Sequence, residues 1–246
     1  MILVLSLFPG IGLLDYAFEL EGFCVVRGPD LLWGGDIRRF NPPNGRFDGV
    51  IGGPPCQIFS RMRHLNPRAG KKHGDLIPEF LRCVAQAKPN WFLMENVPEA
   101  PVPQIAGYLV TARMVTDVEV GGITSRSRRF SFGTRGLDCQ RFQVETRALW
   151  PYPEPAVLAG GGGRAVPVRL GGTGKRKKTI DGRRHGPHTG PRAPVAVMLH
   201  AQGLPENFFE DCPLTIEGQR HGLGNGVPIP MGRAVARAVK KAIGYD

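Results

Sequence analysis

The 246-residue chain predicts an α/β fold, with a mostly parallel sheet and helices on both faces, on three observations. It opens as strand, glycine turn, helix, strand, the start of a nucleotide-binding α/β unit. Its apolar runs are short and end on Gly or Pro, the habit of buried strands. Its chemically versatile side chains follow directly on those runs, where ligands bind in open α/β sheets.

The elements follow in order. Residues 2–8 are an apolar run fit for a buried strand, and Pro9-Gly10-Ile11-Gly12 is a tight turn. Apolar residues at 13, 14, 17, 18 and 20 give a helical rhythm over 13–21 that stops at Gly22. Residues 23–27 form a second strand. Between Gly28 and Phe47 the turn-rich composition around Gly35-Asp36-Ile37 leaves no room for a full crossover helix. Residues 47–51 make the third strand, which breaks on Gly52-Gly53-Pro54-Pro55 and delivers Cys56. Residues 60–74, basic and polar, read as a mobile loop able to close over a phosphate backbone. A helix over 76–87 and a strand over 91–94 lead into Glu95-Asn96-Val97-Pro98. The spacing predicts a short helix over 105–115 and late strands at 118–120 and 130–132, flanking a loop over 124–129. Regularity returns at 195–201, and Leu223-Gly224-Asn225-Gly226-Val227-Pro228 leads into a last helix over 231–243. That helix is expected near the first strand, with the Asn225 loop against the Phe8 loop.

Hydrophobic residues make up 41% and charged residues 22%, as in soluble globular proteins. Residues 1–8 are too short to span a bilayer and carry no basic leader, which predicts no signal peptide and a cytoplasmic protein. Five cysteines without a Cys-x-x-Cys pair argue against a disulfide framework and against a zinc site, so no metal is expected. The net charge of +11 calls for a polyanionic partner, nucleic acid ahead of membrane. Residues 134–190 concentrate it, with eleven Lys or Arg against four Asp or Glu. This Gly-rich tract is either a small lobe that orders on a partner or a linker; Trp150 and Tyr152 at its start favour packed structure.

A loop cysteine, a strand-end glutamate and an Arg-x-Arg loop beside a glycine turn describe a site. A thiolate near arginines has a lowered pKa and is a strong nucleophile. A glutamate there can hydrogen-bond a ring nitrogen and activate a poor electrophile. Arginines can hold a ring carbonyl oxygen and the flanking phosphate.

In this order the motifs resemble those of the DNA (cytosine-5) methyltransferase family. Leu7-Phe8-Pro9-Gly10-Ile11-Gly12 is similar to its first motif, and Gly53-Pro54-Pro55-Cys56-Gln57 to its nucleophile loop. Glu95-Asn96-Val97 matches its Glu-Asn-Val, Arg126-Ser127-Arg128 the arginines of its Gln-x-Arg-x-Arg, and Gly224-Asn225-Gly226-Val227-Pro228 its C-terminal motif. Each is short; five in sequence order are specific. The resemblance implies a Rossmann-like S-adenosylmethionine-dependent methyltransferase fold with a small inserted recognition lobe. It also implies base flipping of a cytosine from double-stranded DNA, attack by Cys56 on ring C6, and Glu95 at N3 and the exocyclic amine. Arg126 and Arg128 then contact the base oxygen and Cys56. Phe8, Gly10, Ile11, Asp36, Ile37, Leu76 and Asn225 line S-adenosylmethionine, with Pro55 at the cofactor and bracing the base. Gln57, Ser60 and Arg61 face DNA, with Lys175, Arg176, Lys177, Lys178, Arg183 and Arg184 on its phosphates.

The resemblance divides the chain into a catalytic part at 1–133, target recognition at 134–190, and a return to the catalytic part at 191–246, working as a monomer. Three departures bear on it. Arg27-Gly28-Pro29-Asp30 stands where the family has a ribose-binding acid, leaving Asp30 as substitute. Thr124 replaces the Gln of Gln-x-Arg-x-Arg, and the family's ninth motif is reduced to Gln202-Gly203-Leu204-Pro205. Methylation of cytosine in RNA and a silent DNA-binding role stay open as alternatives. The compact size would suit a phage-encoded solitary enzyme.

Overall fold

The computed structural model describes residues 1–55, 74–147 and 193–245. Six strands form one sheet in the order β2-β1-β3-β4-β6-β5. Strands β1 (Ile2–Leu7), β2 (Phe23–Arg27), β3 (Gly49–Gly52) and β4 (Trp91–Asn96) run parallel, while β6 (Ser127–Thr134) is antiparallel to both β4 and β5 (Leu109–Thr116). The mostly parallel α/β sheet expected from the sequence is thus present. The chain leaves β1 toward β2, then crosses back to β3 on the other side. The order reverses between β1 and β3, which opens a crevice at the strand C-termini.

Period-two alternation sorts the strands onto two cores. Ile2, Val4, Ile51, Trp91, Leu93, Phe130 and Phe132 share one buried cluster with Phe18 of helix α1 (Leu13–Leu20) and the apolar face of α5 (Ile229–Ile243). Leu5, Leu7, Val50, Phe92 and Met94 face the other way, onto Phe80, Cys83 and Val84 of α2 (Ile77–Ala87). Two rings lie across glycines. A Cβ on Gly49 would fall 2.1 Å from the Trp91 ring, and one on Gly133 would fall 2.1 Å from Phe92. The sheet therefore carries large aromatics at the price of side chains on the neighbouring strands.

Four expectations are corrected. The segment predicted as a short helix over 105–115 contains β5 instead. Its β-branched Val110, Thr111, Val115 and Thr116 favour a strand, but as an edge strand it leaves Leu109 and Met114 exposed, and this blurred the alternation. The strand expected at 118–120 is a 3₁₀ turn, Asp117–Val120, opened by a reciprocal Thr116–Glu119 capping box and closed by left-handed Gly121. The loop expected over 124–129 passes into β6 at Ser127. The Gly224-Asn225 stretch read as loop is the end of helix α4 (Ile216–Asn225), which follows α3 (Val195–Gln202). Between β2 and β3 there is no crossover helix, only 3₁₀ turns at Leu31–Trp33 and Ile37–Arg39, as the composition predicted. Among the described residues no helix is long and apolar enough to cross a membrane.

Candidate active site

The crevice is lined first by the turn after β1. Phe8 has φ 57°, and Gly10 and Gly12 have φ 56° and 81°. A left-handed phenylalanine is strained by about 1–2 kcal/mol, a cost found where surrounding structure over-determines the backbone. Here the surroundings grip Gly10 from both sides. Asp30 Oδ2 accepts from the Gly10 amide at 2.8 Å, and the Trp33 indole donates to the Gly10 carbonyl at 2.7 Å. Asp30 Oδ1 meanwhile accepts from the Leu32 amide at 2.7 Å. Asp30, the substitute for a ribose-binding acid, thus has both oxygens engaged in shaping the turn. Trp33 was missed by sequence reasoning; its only signal was a large aromatic in a turn-rich segment.

The other expected cofactor residues gather around this turn. Phe8, Ile37 and Leu76 share one apolar cluster with Leu5 and Leu7. Asp36 caps the turn over Ile37–Arg39 through Arg38, whose guanidinium holds its carboxyl below the usual carboxylate range. Ile11 lies against α4, where a Cβ on Gly222 would fall 2.5 Å from its Cγ2 and one on Gly226 would fall 2.4 Å from Leu13. The expected meeting of the Asn225 segment with the segment after Phe8 is made through these two glycines. Asn225 itself is exposed and pairs with His221 at 3.2 Å. A Cβ on Gly10 would meet no described atom within 4 Å, so the turn is open toward the crevice. An open glycine cradle, an exposed indole and helix α1 starting on Gly12 without a side-chain cap fit an adenosyl ligand.

Beneath the turn lies a polar group that sequence reasoning also missed. Asp15 is fully buried; its Oδ1 accepts from Ser6 Oγ at 2.5 Å and its Oδ2 from Arg27 Nε at 3.1 Å. Burial outweighs both partners and pushes the Asp15 carboxyl up to about 6.

The second wall is the end of β4 with the start of β6. Arg128 Nε lies 2.7 Å from Glu95 Oε1, with both side chains mostly shielded. A charge-assisted pair this short fixes the carboxylate's orientation. Its other oxygen faces Gly53, where a Cβ would sit 2.8 Å away, so a side chain there would push the carboxylate aside. Asn96 Nδ2 donates to the Pro54 carbonyl at 3.2 Å, tying the Gly-Pro-Pro segment to β4. Pro55 is the last described residue of that segment. Cys56, Gln57, Ser60, Arg61, Lys175, Arg176, Lys177, Lys178, Arg183 and Arg184 lie outside the described residues. The structure therefore brings Glu95, Arg128 and the backbone preceding Cys56 together. Arg126 takes another direction: it is 3% exposed and donates from Nη2 to the Gly224 carbonyl at 3.0 Å.

With this geometry in place, comparison with known proteins is informative. Residues 33–103 match the family model for C-5 cytosine-specific DNA methylases. The type II methyltransferase M.FnuDI of Fusobacterium nucleatum is 31% identical over 183 residues, covering 61% of this chain and 50% of that protein. M.NgoPII of Neisseria gonorrhoeae is 29% identical over 163 residues, covering 54% and 48%. The chain spans about half the length of these curated relatives. Among solved structures, a candidate DNA modification methyltransferase of an E. coli prophage superposes with TM-score 0.64 at 16% identity, over 99% of this chain and 100% of that one. The Dnmt2 methyltransferase of S. pombe gives TM-score 0.60 at 13% identity, over 99% of both. At such identities the structures speak for the fold alone, and that fold is the Rossmann-like one of S-adenosylmethionine-dependent methyltransferases. The resemblance drawn from the five motifs is borne out.

Proposed function

We propose, from its kinship with cytosine-5 DNA methyltransferases, that the protein methylates C5 of cytosine in double-stranded DNA. The observation that carries the reading is the Glu95–Arg128 pair, held against Gly53 three residues before Cys56 and beside the open Gly10 turn. In this reading a cytosine is flipped into the crevice. The Cys56 thiolate adds to C6 while Glu95 hydrogen-bonds N3 and the exocyclic amine, drawing electron density through the ring so that C5 becomes nucleophilic. S-adenosylmethionine would supply the electrophilic methyl group, its S–CH3 bond breaking as C5 takes up the methyl and leaving a neutral thioether. Loss of the C5 proton to solvent would then expel Cys56 as thiolate. Arg128 keeps Glu95 aimed and would contact the base oxygen. Phe8, Gly10, Ile11, Asp36, Ile37, Pro55, Leu76 and Asn225 would hold the cofactor, and residues 134–190, with the basic run at 175–178, would read the DNA.

The test is base-resolution cytosine mapping of host DNA after expression. Methylation at one short sequence context is expected. It should vanish with Cys56→Ala and fall about 10²–10⁴-fold with Glu95→Gln, the usual worth of a positioned acid–base group. A folded, cofactor-binding protein that leaves DNA unmethylated would redirect the assignment to RNA or to a silent binder.

A further inference from the structure

Arg126 is one of two arginines expected at the site, yet its guanidinium is buried and bonded to helix α4. A guanidinium this buried must be held in place by its surroundings, because burying an ion costs several kcal/mol or more unless it is paired and hydrogen-bonded. The loop that carries it is anchored by a residue that no motif includes. Asp117, fully buried in the 3₁₀ turn, has Oδ2 accepting from the Thr124 amide at 3.0 Å and from Thr124 Oγ1 at 2.8 Å. Thr124 Oγ1 in turn accepts from the Arg126 amide at 3.4 Å. Backbone bonds close the same loop: the Asp117 amide donates to the Arg126 carbonyl at 2.9 Å, and the Val118 amide to the Thr124 carbonyl at 3.2 Å. Gly122 makes room, since a Cβ there would fall 2.1 Å from Asp117 Oδ1. Asp117, Gly122 and Thr124 therefore form one interlocked unit around Arg126.

We propose that Asp117 is a positioning residue: acting through Thr124, it holds Arg126 against α4 and so fixes the adenosyl-binding turn relative to the Glu95–Arg128 wall. The route is continuous. Arg126 bonds to Gly224, and the same helix end packs through Gly222 and Gly226 on Ile11 and Leu13 of the turn. Two positions further along the chain, in β6, stands Arg128, paired with Glu95. The shorter Thr124, where the family has Gln, fits this arrangement, because a hydroxyl reaches Asp117 while its own amide bonds the same oxygen.

The inference rests on the proposed function for its cofactor, so the experiment has two readouts. The first is solvent exchange of the Arg126 side-chain Nε–H by NMR in the ligand-free protein. The second is S-adenosylmethionine affinity by calorimetry. Asp117→Asn should speed the exchange at least tenfold and weaken cofactor binding about tenfold. Thr124→Val should do the same without removing a charge, which guards against a folding defect in the first variant. Thr124→Ser should behave as wild type. Combined with Arg126→Lys, Asp117→Asn should add little further loss, since both act through one unit. Unchanged exchange in folded Asp117→Asn and Thr124→Val overturns the positioning role, as does additivity in the double variant. If wild type fails to bind S-adenosylmethionine while the exchange responds as expected, the cofactor assignment fails and the Asp117–Arg126 unit stands.

Discussion

Asp15 shows at the scale of one residue how the turn is built at a cost. Its carboxyl is raised to about 6 from an ordinary 3.8 because burial outweighs the Ser6 hydrogen bond and the Arg27 charge. Between those values the folded chain holds a proton that the unfolded chain has released. This group therefore favours the fold most below about pH 4, and the contribution is lost as pH rises through about 6. The full loss is on the order of 3 kcal/mol, taking 1.36 kcal/mol per pH unit. Chemical unfolding of wild type and Asp15→Asn at several pH values should give a stability difference that changes between pH 4 and 6 and is flat above about 7. A parallel pair of profiles would refute the assignment. Arg27 is held at this spot, close enough that a Cβ on Gly12 would come within 2.9 Å of its guanidinium. This accounts for an arginine where the family carries an acid further along: the position serves Asp15, and Asp30 serves Gly10.

Elements were legible where pattern and packing agreed. The second strand lies at Phe23–Arg27 as read, and α1 and α2 fall within a residue or so of their expected bounds, because each sets a clear apolar face on the core. Helix α4 was hidden for a physical reason. Its sequence, Ile-Glu-Gly-Gln-Arg-His-Gly-Leu-Gly-Asn, carries three glycines that weaken any helix by roughly 1 kcal/mol each relative to Ala. Gly222 is kept nonetheless because its backbone must approach Ile11, so tertiary need overrides local preference. The same logic gives a prediction for α5. Gly232 sits where a Cβ would lie 2.6 Å from Ala17 Cβ on α1. Gly232→Ala gains about 1 kcal/mol in helix preference, but overpacking two helices costs about 1–3 kcal/mol. The net effect should be destabilising by up to about 2 kcal/mol, read as a lower denaturation midpoint, and Ala17→Gly in the same chain should recover part of it.

For the whole molecule, the motif order disclosed the fold and the two walls of the site, because short motifs mark strand ends and strand ends converge. What the motifs could not disclose were contacts formed only after convergence. Trp33 on the Gly10 carbonyl and Asp117 beside Thr124 depend on segments whose sequences carry no periodic signal. The whole-molecule charge of +11 leads to one further expectation. If residues 175–178 lie on phosphates, replacing Lys175, Arg176, Lys177 and Lys178 by Ala should flatten log affinity against log salt by about 3 to 4, near 0.9 per contact. An unaltered slope would remove that tract from the DNA interface. The packing of α1 also has a consequence in time. Ala17 and Phe18 are covered by α5, whose Met231 and Val235 are made more than two hundred residues later. During synthesis this face of α1 stays uncovered until α5 has left the ribosome. The parallel strands likewise wait on distant partners, whereas β5 and β6 can pair locally. The packing between α1 and α5 should thus form only after α5 has been made.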